Sequence, residues 1–262
     1  MITVHPSALV SKKAQLQEGV DVGPYVVVED GVRIGRDTKI APHCVIKAGV
    51  SIGSNCQIFS GAIIGSQPQD LKYKGAKSSL VIGDYNIIRE YCTVNPGTDE
   101  GGSTEIGSHN LFMAYAHVAH DCKIGSHCVL ANCGTLAGHV VIEDHAIVSG
   151  LAAVHQFVRV GKLAIIGGCS KVVQDIPPFS TCDGHPARVY GLNLIGLKRN
   201  AVSSNSIRQL ERAFRILFHS QHTLKSALKG ITGELKPLTP EVAYLIDFVN
   251  SSKRGIVRSC RS

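Results

Sequence analysis

The chain has 262 residues, of which 44% are hydrophobic but only 5% are aromatic, and it contains no tryptophan. This apolar fraction excludes a disordered chain, and no apolar run reaches the ~18 residues that a membrane-spanning helix needs. Residues 1–187 carry 14 basic and 16 acidic residues, whereas residues 188–262 carry 13 and 4, a net charge of +9. We therefore expect the C-terminal quarter to attract an acidic partner or phosphates. We do not expect nucleic acid, because this segment lacks aromatic residues interleaved with arginine and any DNA-reading motif.

The chain has nine cysteines, an odd number, and no Cys-x-x-Cys pair. Its first residues show no charged region followed by an apolar stretch, as a secretory signal would. We therefore expect free thiols in a reducing compartment.

An aliphatic residue, here called the anchor, recurs every six positions along most of the chain. The series runs from Val4 to Ile64, from Ile82 to Val94, and from Ile106 to Val172. It comprises 26 hexads, in which Phe112 is the one aromatic anchor. A helix with 3.6 residues per turn cannot keep one face on a spacing of six for so long, so the repeat predicts a different architecture.

A small or β-branched residue usually stands four positions after each anchor. Residues two apart in a strand share a face, so this small residue and the next anchor both point inward, and the three residues after the anchor form a corner. The pattern predicts a parallel β-helix of triangular section, with three hexads per coil and a height of about 40 Å. Spacing alone leaves the hand open. Five cysteines occupy the small inward position and are interpreted as packing residues.

Two polar, glycine-containing segments interrupt the repeat, at residues 66–80 and 96–105. We predict that both are loops that leave the prism, and such loops on a rigid scaffold are where sites are commonly built.

The C-terminal segment changes from hexads to helical spacing. Its apolar residues predict amphipathic helices around residues 207–217, 224–231 and 239–249. We therefore divide the chain into a β-helix of residues 1–187 and a basic helical domain of residues 188–262.

Residues 18 apart occupy the same place on successive coils and form outward columns. One column contains Leu111, Val129, Ile147 and Ile165, and below the loops a matching column contains Leu9, Val27, Val45 and Ile63. An outward aliphatic stripe should not stay in water, so we predict that it is buried in a homo-oligomer around an axis along the prism. The alternative is that the C-terminal helices cover it.

One corner collects groups suited to proton transfer. A histidine can act as a base at neutral pH, an adjacent carboxylate can orient it, and the N–H of a glycine can meet an oxyanion. These groups favour the activation of a hydroxyl toward an acyl group. No outward serine or cysteine lies in this corner, so direct transfer is favoured over a covalent intermediate. The residues that the 18-residue rule brings within about 10 Å are His117, His120, Asp121, Gly138, His139, His155 and Gln156.

Two other interpretations of the histidines stay open. Clustered histidines are typical metal ligands, so a metal site at this corner is an alternative. His109, His127 and His145 stack on a different corner and are interpreted as a solvent-facing column, with a functional role as the alternative.

Several strings of residues carry a resemblance to a known family. They are QDLKY at residues 69–73, HVAHDC at 117–122, LAGH at 136–139, VHQF at 154–157, and GLN and GLKR within 191–199. With the hexads and the helical tail, the whole chain resembles the UDP-N-acetylglucosamine O-acyltransferases, which catalyse the first step of lipid A synthesis.

The resemblance implies a left-handed β-helix and a cytoplasmic homotrimer with clefts between its subunits. It also implies transfer of an (R)-3-hydroxyacyl chain from acyl carrier protein to the glucosamine 3-hydroxyl of UDP-N-acetylglucosamine. It implies no metal, and we expect no cofactor. His120 matches the general base, Asp121 its partner, Gly138 the oxyanion donor, and Gly168 the position that limits acyl length. The matched substrate-contacting positions are Gln69, Asp70, Lys72, His117, His139, His155 and Gln156, with Asn193 and Arg199 near the phosphates.

Two positions depart from the family pattern. Asn200 stands where a second arginine is common, which removes a phosphate donor, and Asn95 stands where some relatives have histidine. The basic tail favours an acidic carrier protein over free acyl-CoA. The sequence leaves open a 3-amino sugar acceptor, a metal-dependent hydratase resembling γ-type carbonic anhydrases, and a non-catalytic sugar-nucleotide binder.

Overall fold

The computed structural model describes residues 1–218 and 223–259, and over these ranges the chain forms 28 strands and four helices. The first 26 strands are short, and each ends on an anchor. Their bounds are β1 Thr3–Val4, β2 Leu9–Val10, β3 Gln15–Leu16, β4 Asp21–Val22, β5 Val27–Val28, β6 Arg33–Ile34, β7 Lys39–Ile40, β8 Val45–Ile46, β9 Val50–Ile52, β10 Gln57–Ile58, β11 Ile63–Ile64, β12 Ser79–Ile82, β13 Ile87–Ile88, β14 Thr93–Val94, β15 Ser103–Ile106, β16 Leu111–Phe112, β17 His117–Val118, β18 Lys123–Ile124, β19 Val129–Leu130, β20 Thr135–Leu136, β21 Val141–Ile142, β22 Ile147–Val148, β23 Ala153–Val154, β24 Arg159–Val160, β25 Ile165–Ile166 and β26 Lys171–Val172; β27 Ser180–Gly184 and β28 Ala187–Leu192 follow.

Among β1–β26, every third strand belongs to the same sheet. In the described ranges the first sheet begins with β1, β4 and β7 and has 11 strands, the second begins with β2 and β5 and has nine, and the third begins with β3 and β6 and has eight. Within β1–β26 and outside the two interruptions, the paired residues are 18 apart, as in Leu111↔Val129 and His117↔Thr135. The predicted β-helix is thereby confirmed, and it is left-handed.

The chain turns at most corners through a residue in the left-handed backbone region, three positions after the anchor. Asp121, His139 and Phe157 have φ of 58°, 60° and 64°. Corners also stack closely on one another. A Cβ on Gly107 would lie only 2.6 Å from the carbonyl oxygen of Gly125, so glycine is the residue that lets these two coils meet.

The interior is filled by anchors and small residues. All five cysteines at the inward position are buried, which confirms their interpretation as packing residues. Burial raises the pKa of the thiols, to about 11 for Cys44 and Cys92 and to about 12 for Cys122 and Cys128. The anchors of the first coil are less covered, and Val4 is 41% exposed, because no coil lies below it.

The two interruptions leave the prism at consecutive coils. The first excursion spans residues 65–78, between β11 and β12, and the second spans residues 95–102, between β14 and β15. Both end sooner than the sequence predicts, because β12 and β15 extend to four residues and pair with each other along their full length.

The two aliphatic columns lie on different faces of the prism, which corrects the expectation of one stripe. Leu111, Val129, Ile147 and Ile165 are half-buried on the outer side of the first sheet. Leu9 and Val27 belong to the second sheet, below His117. Ile63 pairs with Thr93, 30 residues later, and Thr93 pairs with His117, 24 residues later. The two excursions together therefore add the length of one coil, and the column below His117 is the one that starts at Leu9.

The C-terminal segment forms the β27–β28 hairpin and four helices. The predicted helices are confirmed as α2, α3 and α4, whereas α1 and the hairpin carry no hexad or long helical period. The hairpin spans the proposed division at residue 187. The helix bounds are α1 Leu194–Arg199, α2 Ser204–Phe218, α3 Leu224–Glu234 and α4 Pro240–Ser251.

Helix α4 is held to the third sheet rather than to the aliphatic column. The Tyr244 hydroxyl donates to Glu143 at 2.5 Å, and the Arg159 guanidinium lies 4.2 Å from the centre of the Phe248 ring. Burial and the neighbouring carboxylate raise the pKa of Tyr244, so it stays a donor. In the described residues, no helix is both long and apolar enough to cross a membrane.

The stacking of glycine corners predicts a difference between two Gly→Ala substitutions. Gly107→Ala should destabilise the protein by about 1–3 kcal/mol, because the new methyl group meets fixed backbone. Gly233→Ala in α3 meets nothing within 4 Å and should stabilise it by about 0.5–1 kcal/mol. Thermal unfolding followed by circular dichroism measures both, and equal melting temperatures would contradict the close approach of the coils.

Candidate active site

Both excursions and the predicted catalytic residues emerge at the same edge of the prism. This edge joins the second sheet to the third, and we call its upper part, residues 119–122, 137–140 and 155–158, the histidine corner. The first and second excursions leave from the same edge on the two coils directly below. The topology therefore places two loops beneath the stacked histidines.

His120 and Asp121 form a hydrogen-bonded pair at this corner. His120 Nδ1 lies 2.8 Å from Asp121 Oδ2, and each side chain is 13% exposed. Burial opposes ionisation of Asp121, but hydrogen bonds from Thr98 and His120 outweigh it, so its pKa lies below the ordinary value. An ionised carboxylate can only accept, so the proton of neutral His120 sits on Nδ1 and Nε2 presents a lone pair.

Gly138 lies directly against the His120 ring. A Cβ at this position would stand 2.4 Å from Cε1 and 2.5 Å from Nε2 of His120, so any side chain here would displace the ring. Among the described residues, none accepts a hydrogen bond from the Gly138 N–H. A free donor thus lies beside the basic nitrogen.

Two further histidines surround the pair. His139 stacks on Phe157 with 4.6 Å between ring centres, meets the His120 ring edge-on, and places Nε2 3.7 Å from Asp121 Oδ2. The Nδ1 atom of His117 lies 2.7 Å from the hydroxyl of Thr93. Burial lowers the pKa of His117, and repulsion from the protonated form of His120 lowers it further, which keeps His117 neutral near pH 7.

The remaining predicted contacts of this edge are more open. His155, Gln156, Gln69 and Lys72 are exposed. Asp70 Oδ1 accepts from the backbone N–H of Lys72 at 2.9 Å, which orders the tip of the first excursion.

A metal ion is a chemical alternative at this site. Ligand atoms of His120, Asp121 and His139 lie within 4.8 Å of one another. However, Asp121 Oδ2 already accepts from His120 and from the Thr98 hydroxyl at 2.6 Å. Hydrogen bonds of this kind occur both in pairs of a base with its carboxylate and around metal ligands.

Three predicted site residues lie elsewhere in the single chain. Gly168 sits at the corner between the first and second sheets. Asn193 is buried, caps α1 through the Gly196 N–H, and donates to the carbonyl of Leu163 on the corner between the third and first sheets. Arg199 is exposed in the last turn of α1.

The sequence did not predict the contact of Thr98, which donates to both oxygens of Asp121 through its hydroxyl and its backbone N–H. The position of the second excursion on the coil below His120 was the available signal. The direction of a loop side chain does not follow from a repeat count.

The chain is similar to known proteins over its whole length. Residues 175–257 match the family described as Udp N-acetylglucosamine O-acyltransferase; Domain 2, and residues 13–48, 31–66 and 103–138 match bacterial transferase hexapeptide repeats. The solved LpxA of Acinetobacter baumannii is 41% identical, with a TM-score of 0.94 over 97% of this chain and 99% of that one. The LpxA of Bacteroides fragilis is 40% identical, with a TM-score of 0.95 over 98% and 100%.

Curated relatives agree with these structures. Acyl-[acyl-carrier-protein]–UDP-N-acetylglucosamine O-acyltransferases of Alkalilimnicola ehrlichii and Thiobacillus denitrificans are 48% and 47% identical, and each match covers 98% of this chain and 100% of the relative. The chain therefore belongs to the family of acyl-[acyl-carrier-protein]–UDP-N-acetylglucosamine O-acyltransferases.

Proposed function

We propose that this chain transfers an (R)-3-hydroxyacyl group from acyl carrier protein to the glucosamine 3-hydroxyl of UDP-N-acetylglucosamine, the first step of lipid A synthesis. The observation that carries the proposal is the buried His120–Asp121 pair, with the free N–H of Gly138 beside the His120 ring. The names of the relatives agree with this reaction.

The reaction proceeds in one transfer without a covalent enzyme intermediate. Nε2 of His120 takes the proton of the 3-hydroxyl as its oxygen attacks the thioester carbonyl. The Gly138 N–H stabilises the oxyanion, and the tetrahedral species collapses as the carrier thiolate leaves with the proton from His120. Cys122, the nearest thiol in sequence, is buried with a pKa of about 12 and cannot serve as a nucleophile.

The residues around the pair would hold the acceptor. His117 and His139 flank the base, His155 and Gln156 extend the corner upward, and the first excursion brings Asp70 and Lys72 from below, next to Gln69. The mixed donors and acceptors of this edge fit a hydroxylated sugar. No cofactor or metal is part of this proposal.

A homotrimer would complete the site. Gly168 lies on one of the two corners away from His120, and Asn193 contacts the other and caps the helix that carries Arg199. These residues can reach the substrate of His120 only if corners of neighbouring subunits meet. The half-buried aliphatic column on the first sheet supplies an apolar face for such contacts. The side chain of Asn193 already accepts a hydrogen bond from the Gly196 N–H at the start of α1, so we assign Asn193 to positioning that helix. Arg199 is exposed and can reach a phosphate.

We infer the acyl donor from the net charge of the C-terminal segment and the cellular compartment from the free cysteines. The net charge of +9 on residues 188–262 favours the acidic carrier protein over free acyl-CoA, and nucleic acid is not proposed as a partner. The cysteines of the described ranges are free, as is typical of a reducing compartment, so we place the protein in the cytoplasm. A hydratase is not favoured, because the relatives matched over the whole chain are acyltransferases.

Product analysis tests the reaction directly. The protein incubated with UDP-N-acetylglucosamine and carrier-bound 3-hydroxyacyl chains of several lengths should yield a sugar nucleotide heavier by one acyl group, as measured by mass spectrometry. An ester at the 3-oxygen supports the proposal. Acylation only of a 3-amino sugar, or hydrolysis of the thioester without transfer, would contradict it.

Removal of the base should abolish most of the rate. His120→Ala should lower kcat by at least ~10²-fold, the usual scale for a general base, whereas UDP-N-acetylglucosamine binding should change little. His127→Asn is the matched control, because it lies on a different corner and asparagine tolerates its positive φ of 59°. A His120→Ala variant with near-normal turnover would remove this residue from its role.

The open space at Gly168 predicts a change in acyl length. The nearest atom to a Cβ there is the Gly150 carbonyl oxygen at 3.4 Å, so Gly168→Met should fold normally and project its side chain outward. The variant should prefer acyl chains several carbons shorter in a competition among carrier-bound chains. An unchanged preference would show that Gly168 does not limit length.

Disruption of the apolar column should separate the subunits. Val129→Asp with Ile147→Asp should give monomers with little activity, as measured by sedimentation velocity, because two carboxylates would be buried in the interface. Arg33→Asp with Ser51→Asp on the third sheet is the control and should leave the oligomer intact. A column variant that keeps its oligomeric mass would place the interface elsewhere.

A further inference from the structure

Thr98 is attached to the reacting pair although it belongs to a different coil. Its backbone N–H donates to Asp121 Oδ1 at 3.2 Å, and its hydroxyl donates to Asp121 Oδ2 at 2.6 Å. The same Oδ2 accepts from His120. One carboxylate oxygen is thus shared by the base and by a loop residue 23 positions earlier in the chain.

The close approach of this loop is built into its backbone. A Cβ on Gly97 would lie 3.0 Å from Asp121 Oδ1 and 2.7 Å from the carbonyl carbon of Gly102. Glycine therefore allows the second excursion to lie against the carboxylate. Thr98 is half-buried there, so its contact with Asp121 is shielded from solvent.

The second excursion is also tied to the first, which carries Asp70 and Lys72. Lys77 donates its backbone N–H to Glu100 at 2.9 Å, and Gly101 returns a backbone bond to Lys77 at 2.9 Å. The Asn95 amide donates to the carbonyl of Ser66 at 2.9 Å. The first excursion and the Asp121 carboxylate are therefore connected through the hydrogen bonds of the second excursion.

We propose that Thr98 is a positioning residue for the transfer reaction, which holds the Asp121 carboxylate and, through it, the ring of His120. The inference rests on the proposed function, because it assigns His120 as the base. Without the Thr98 hydroxyl, Oδ2 of Asp121 keeps only its hydrogen bond with His120, so the carboxylate and the ring of His120 are held less firmly. The two hydrogen bonds also lower the pKa of Asp121, which keeps it an acceptor.

A double-mutant cycle separates positioning from loop structure. Thr98→Val should lower kcat by about 10- to 100-fold, the range for loss of a hydrogen bond to a charged group, with KM for UDP-N-acetylglucosamine within about 3-fold. Thr98→Ser keeps the hydroxyl and should retain most activity. In an Asp121→Gly background, Thr98→Val should cost less than about 3-fold, because its partner is already gone. Glycine suits this position, since Gly19 and Gly31 hold equivalent corners with positive φ.

Thr232→Val in α3 is the control for removal of a threonine hydroxyl and should leave kcat unchanged. Equal losses from Thr98→Val with and without Asp121 would overturn the proposal, as would a Thr98→Val variant with normal kcat.

A measurement without substrate separates failure of this proposal from failure of the proposed function. Carboxyl ¹³C NMR of Asp121 should show a raised pKa in Thr98→Val relative to the unsubstituted protein, and an unchanged pKa would also overturn it.

Discussion

The molecule depends on one constraint, the hydrogen-bonded stacking of coils at a fixed count of 18 residues. Because most strands have only two residues, each strand supplies one anchor to the interior and little else. Corners must then stack directly on corners, which requires left-handed backbone at the third corner residue and glycine where coils touch. The same rule that fills the core therefore aligns side chains from distant parts of the chain along an edge.

Chemistry at the histidine corner is a consequence of this alignment. His120 comes from one coil, Gly138 from the next, and Thr98 from the coil below. Two glycines allow the close contacts at this corner. Gly138 has no side chain to displace the His120 ring, and Gly97 has none to displace the carboxylate of Asp121. The proposed base, its partner and the proposed donor for the oxyanion are held by backbone that the core already fixes, so the proposed transfer needs little reorganisation.

The sequence predicted those features of the fold and the site that depend on the 18-residue repeat. Counting by 18 brought His120, Asp121, Gly138 and His139 to one edge, and the structure places them there within contact distance. The repeat did not predict Thr98, because the second excursion leaves the register and its side-chain directions depend on contacts with another loop. It also did not show that Asn193 caps a short helix, since α1 has too few residues for a helical period. The two aliphatic columns are alike in composition but belong to different sheets, so composition alone predicted the wrong face for the lower column.

The proposed reaction requires the lone pair of His120 Nε2 to face the acceptor oxygen of the sugar. A crystal structure of the protein with UDP-N-acetylglucosamine measures this distance directly. We expect the glucosamine 3-oxygen within about 3 Å of His120 Nε2, with the Gly138 N–H directed at the adjoining space. A sugar bound with its 3-oxygen beyond hydrogen-bond reach of His120, or bound at another edge of the prism, would contradict it.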